Sequence, residues 1–176
     1  MSELAIAPLL VALVTGTVTL LLRAWPRLQR TASVAGTIGY AGVVGVLFWE
    51  VVFAADGQAV ITQLGGWRPP FGIVLVADAL AVFMLGLTAI VGVYAVVFSV
   101  LYLEDETQRT YYHPLFQFLL LGATGAFLTG DLFNLFVWFE VMLMVSYVFV
   151  AFYADARHTA AAMRYVVLNV LGGLCM

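Results

Sequence analysis

"DLFNLFVWFEVMLMVSYVFVAF", residues 131–152, is an uninterrupted apolar run whose only charges are Asp131 at its start and Glu140 within it. At 1.5 Å rise per residue, a helix of this length reaches roughly the 30 Å of a bilayer's hydrocarbon core. The rest of the chain is of the same kind. Its 176 residues are 64% hydrophobic and only 10% charged, with a mean hydropathy of +1.07. A water-soluble domain carries about 25% charged residues. The apolar runs are long rather than alternating, which favours helices over a membrane barrel. The expected fold is therefore an all-α membrane protein, a polytopic transmembrane helix bundle forming a single transmembrane domain over residues 1–176.

Spans of about 20 residues are expected at 4–22, 32–55, 72–102, 113–130 and 131–153. A sixth begins near 160 and is cut off by the end of the chain, giving five complete spans plus a truncated sixth. The first span is followed by Arg23, Arg27 and Arg30 rather than by small residues, so it reads as a retained helix, not a cleaved signal. The connections 23–30, 104–113 and 154–164 alternate onto one side and hold six of the seven arginines, with Arg68 on the other. The positive-inside rule places that side in the cytoplasm and the N-terminus outside. Glu104, Asp105 and Glu106 do not reverse it, because acids contribute little to the rule. Trp25, Trp49, Trp67, Tyr111 and Tyr112 fall near span ends, where interfacial aromatics belong. Gly36, Gly39, Gly42 and Gly45 form a smooth strip on span two, expected to admit another helix backbone, and Gly86, Gly92, Gly122 and Gly125 read alike.

Several function classes are excluded or unsupported. A net charge of −3 and the absence of lysine argue against nucleic acid as a partner. Cys175 is the one cysteine, so no disulfide framework or cysteine metal site is expected. His113 and His158 are far apart and make no ligand pair; both read as solvated at the cytoplasmic surface. No phosphate loop or nucleophile–base pair is present, and no metal or cofactor site is expected.

The informative residues are acids placed in lipid, each costing about 2.5–3.5 kcal/mol at a helix centre on insertion scales. Glu140 has no basic neighbour within four positions on either side. Nine residues beyond Asp131, it lies about 13–14 Å along the helix, near the midplane. Its helical face holds Phe133, Phe136, Val137, Leu143, Met144 and Tyr147, so only Tyr147 offers a polar atom from the same helix. Desolvation disfavours a charged carboxyl, while a nearby cation favours it. A carboxyl balanced between the two can load and release a proton, making Glu140 the candidate proton carrier. Asp131 and Asn134 begin the same helix, where Asp131 suits an N-cap and, as a second reading, ion entry. Asp78, near the start of span three, suits either a cap or proton entry. Glu50 suits the interface. Asn169, in the partial sixth span, suits interhelical hydrogen bonding or a polar axis.

The stretch "LTGDLFNLFVWFEVMLMVSYVFVAF" (128–152) resembles the fifth span of the D-subunit family of multisubunit Mrp-type sodium/proton antiporters. "GGWRPPFGIVLVADAL" (65–80) resembles that family's third-helix start, and "RYVVLNVLGG" (164–173) its sixth helix. The order and spacing match across essentially the whole chain. The wider superfamily includes membrane subunits of NADH–quinone oxidoreductases and membrane-bound hydrogenases. The resemblance implies a secondary ion transporter subunit rather than an enzyme, moving protons and Na+ in the cytoplasmic membrane of a prokaryote. It implies other hydrophobic subunits as partners. It matches Glu140 to the family's essential glutamate, part of a chain of protonatable groups along the midplane, and Asp78 to an acid common at the third-helix start. The family pairs that glutamate with a lysine on a broken seventh helix. This sequence, without lysine, covers only the leading helices, so a lysine-bearing continuation or second polypeptide is implied. A proton-pumping subunit of a redox complex is the alternative.

Overall fold

A computed structural model describes residues 4–54, 58–64, 72–102, 111–152 and 159–175. The expected positions Arg68, Glu104, Asp105, Glu106, Arg109, Arg157, His158 and Trp67 lie outside them. A short 3-10 turn, Leu4–Ile6, leads into α1 (Ala7–Leu21), with Pro8 in the first turn where its missing N–H is no loss. A further 3-10 turn, Leu22–Ala24, ends at Trp25, whose non-helical backbone precedes Pro26, the first residue of α2 (Pro26–Trp49). The first arginine-bearing connection is thus one tight turn. Arg27 and Arg30 belong to α2 itself, which starts ahead of the expected residue 32 because proline pre-sets the helical φ at N1.

α2 runs on through a π-helical turn, Glu50–Ala54. The chain then departs from the all-helical expectation. β1 (Val60–Gln63) and β2 (Val74–Ala77) pair antiparallel, with Val60 opposite Ala77 and Gln63 opposite Val74. Leu75 and Ala77 are buried and Val74 and Val76 half-buried, the two-residue period of a strand with one face inward. α3 (Ala79–Tyr102) therefore begins later than the expected 72, after the capping residue Asp78. α4 (Tyr112–Leu128) ends at the extended Thr129, which bridges to Leu75. Gly130 N–H donates to the Val74 carbonyl at 2.8 Å. α5 (Leu132–Phe152) and α6 (Thr159–Leu174) complete the order.

α2 packs between α1 and α3, and α4 closes against α1, α3 and α5. The core lies among the first four helices and the strands, centred on Tyr40, Leu47, Leu75, Leu85 and Leu128. α6 packs mainly on α5. Four helical segments, Leu4–Ala24, Pro26–Ala54, Ala79–Tyr102 and Leu132–Ala151, have the length and composition to cross a membrane, so this is a multi-pass membrane protein; Ala160–Gly173 is shorter. α4 has 17 residues, at the lower edge of spanning length. Trp25 and Trp49 are exposed at helix ends.

The glycines divide in use. A Cβ at Gly36 would overlap Thr15 of α1, one at Gly125 would overlap the Trp138 ring of α5, and one at Gly122 would lie 3.1 Å from the Met142 backbone. Gly39, Gly42, Gly45 and Gly86 face open space. Among the described residues, Gly36 is the position of the strip that a neighbouring helix approaches, and the other three are left open to a partner. Gly45 and Gly86 instead line an apolar groove of about 650 Å³ between α2 and α3.

Candidate functional site

Glu140 lies in the middle of α5, half-buried, on the side that α6 covers. A Cβ at Gly173 of α6 would come 2.6 Å from Glu140 Oε1 and 4.0 Å from the Phe136 ring. A side chain at Gly173 would oblige the end of the Glu140 side chain to move. α5 and α6 run antiparallel: Ser146 Oγ and Tyr165 OH are 2.8 Å apart, and the Tyr147 and Tyr165 rings meet edge to face at 5.8 Å. Tyr147 lies two turns along the same face of α5, and its buried hydroxyl has no hydrogen-bond partner among the described residues. The cation nearest in the described part of α6 is Arg164, nine residues before Gly173 and so roughly 13–14 Å away along the axis. The site thus holds a carboxyl group, an unpartnered phenol and a small-residue gap.

Asp131 and Asp78 sit at helix starts. Asp131 Oδ1 accepts the Asn134 backbone N–H at 2.7 Å, and Oδ2 accepts the Asn134 side-chain amide at 2.6 Å. Asp78 Oδ1 accepts the Ala81 N–H at 2.7 Å. Each carboxylate satisfies a first-turn donor of its helix. They share one end of the molecule, where Asp78, Thr129 and Gly130 line one shallow pocket. Asn169 donates its side-chain amide to the Tyr165 carbonyl of its own helix at 2.8 Å. Glu50 is half-buried in the π-helical turn. Among the described residues no hydrogen bond joins any of these to Glu140, although Asn169 lies one helical turn before Gly173 on α6. Among the described residues no cluster suited to a metal ion occurs.

A second polar feature escaped the sequence reading. Gln29, Ser33, Thr37 and Tyr40 of α2 and His113, Gln117 and Thr124 of α4 are all buried. Gln117 Nε2 donates to Thr37 Oγ1 at 2.7 Å and to Ser33 Oγ at 3.3 Å. Tyr40 OH and Thr124 Oγ1 are 2.8 Å apart, and Gln29 Nε2 donates to the Thr19 carbonyl of α1 at 2.9 Å. His113 is fully buried, correcting its reading as a solvated residue: the histidine opens α4 on the face that α1 and α2 cover. The signal was in the spacing, with polar residues four and then three or seven apart on each helix, one face of a 3.6-residue period.

No family model matches the chain. It is 40% identical over 177 residues to the D subunit of the Na(+)/H(+) antiporter of Alkalihalophilus pseudofirmus, covering 99% of this chain and 35% of that protein. It is 36% identical over 178 residues to the D subunit of a probable K(+)/H(+) antiporter of Rhizobium meliloti, covering 97% of this chain and 32% of that protein. Among solved structures, a chain of an archaeal membrane-bound sulfane sulfur reductase superposes with a TM-score of 0.89 at 29% identity, over 98% of this chain and 35% of that one. A chain of the Mrp complex from Dietzia sp. superposes with a TM-score of 0.82 at 29% identity, over 98% and 32%. The chain thus spans about a third of the length of the relatives it matches.

Proposed function

The chain is related over nearly its whole length to D subunits of Mrp-type cation/proton antiporters, and from that premise we propose that it works as part of such a protein, with Glu140 as an intramembrane proton carrier. One observation carries the reading. The carboxyl group stands in the middle of a helix of membrane-spanning length, turned into a gap that Gly173 leaves open. A permanently structural role needs no ionisable group at that depth, where one is costly. The cation that favours the charged form comes from chain or subunits outside this sequence, which has no lysine. Asp78 and Asp131, at one end of the bundle, are placed for ion entry as well as capping, and Asn169 lies about one helical turn beyond Tyr165 on α6.

In the same reading the 176 residues form one transmembrane domain with the N-terminus outside. α4 crosses the membrane of a prokaryotic cell along with the four longer helices, and α6 lies in the membrane against α5. The partners are further hydrophobic subunits and a lysine-bearing segment. The test is Glu140→Gln in the assembled complex, with cation-dependent proton movement followed in inverted membrane vesicles. Transport is lost while the complex still assembles; wild-type transport in that variant would remove the assignment.

The likeness to the archaeal reductase chain supports a second reading, a proton-pumping subunit of a redox complex. Purification of the native complex separates the two. Co-purifying redox-cofactor proteins favour the second, and a set of small hydrophobic subunits without them favours the first.

A further inference from the structure

α2 and α4 run parallel, and their polar rungs keep a nearly constant offset. Ser33 with Gln117 and Tyr40 with Thr124 are each 84 residues apart, and Thr37 with Gln117 is 80 apart. One helical turn toward the start of both helices, the same offset sets Gln29 beside His113. Both are inaccessible, at 1% and 0% exposure, yet neither bonds the other. Among the described residues, Gln29 Oε1, both ring nitrogens of His113 and, one turn further in, Gln117 Oε1 have no partner. Three unpaired polar atoms at one interhelical level, with a fourth one turn away, are unlike a packed interior, where nearly all such groups are satisfied.

Their chemistry specifies what fills the level. Two amide oxygens accept, and a neutral imidazole donates from one nitrogen and accepts at the other. Water donates twice and accepts in return, and buried water typically makes about three such bonds. A metal cation fits poorly. Thr19, Gln29, Ser33, Thr37 and Gln117 bring no carboxylate, and the charge acting on the ring is the Arg30 guanidinium, which repels a cation. We propose that the α1–α2–α4 interface holds a buried water site, liganded by Gln29, His113 and Gln117, that completes the polar ladder at the arginine-bearing end of the bundle.

Electron cryo-microscopy of the native complex, at a resolution where ordered water is visible, tests this on the unaltered protein. Density is expected within hydrogen-bond distance, about 2.7–3.2 Å, of Gln29 Oε1 and a ring nitrogen of His113. Three outcomes overturn the proposal: no density there while other internal waters are resolved, direct contact between the two side chains, or a peak at metal-ligand distance. Thermal unfolding of the detergent-solubilised complex gives a second measure. His113→Leu and Gln29→Leu each lower the midpoint by a few degrees, and the double variant falls little below the worse single one, because both remove the same water. A dry site predicts otherwise: His113→Leu would discard two unsatisfied atoms and raise the midpoint, or the two shifts would add. Either result overturns the proposal.

Discussion

Glu140 and Gly173 meet because one lacks what the other needs room for. The gap for the carboxyl group is the volume of a missing side chain, so it can be closed without touching the acid. Gly173→Val puts branched carbon against Glu140 Oε1, which lies 2.6 Å from an added Cβ, so the carboxyl group must turn away, and transport is expected to fall. Gly172→Val is the control, since nothing lies within 4 Å of a Cβ there, and transport in it is expected near wild type. Vesicle assays of both variants check the pair, and equal losses would show that α6 merely tolerates no bulk at its end. The isolation of Glu140 among apolar neighbours was legible in the chain. What faces it was not, because nothing in a linear sequence tells which side of α5 a later helix covers.

At the scale of the helix, caps and close approaches decide what a substitution does. Asp131 holds two donors of Asn134 at the start of α5. Asp131→Ala removes a cap worth about 1 kcal/mol and is expected to lower the thermal midpoint in detergent by a few degrees, whereas Asp131→Asn keeps an acceptor and loses less. Among the glycines, Gly125→Ala drives a methyl into the Trp138 ring and is expected to destabilise the α4–α5 contact. Gly42→Ala meets open space and gains helix propensity of up to about 1 kcal/mol, so it is neutral or stabilising by the same measurement. Hydropathy made helices of these segments, but their ends were set by local chemistry. Pro26 starts α2 early, and Asp78 starts α3 late, behind a strand that hydropathy alone reads as more helix.

For the whole molecule, the alternation of the helices puts the Trp25 turn and the β1–β2 hairpin at opposite ends, which makes the proposed orientation directly measurable. In a Cys175→Ser background, Gln63→Cys in β1 is expected to react with a membrane-impermeant maleimide on intact cells. Trp25→Cys is expected to react only after permeabilisation, and the reverse pattern would invert the topology. Composition by itself determined that the chain is a membrane helix bundle, because a surface with so few charges cannot face water, and it marked Glu140 as the acid out of place. Only the tertiary structure decided that Gly173 of α6 faces that acid, that three of the four α2 glycines meet no helix among the described residues, and that polar residues of α2 and α4 join into a buried seam. The reason is physical: burial in lipid depends on how apolar a segment is, which the residues carry with them, whereas a contact depends on which faces two distant helices turn toward each other, and that is settled only when they pack.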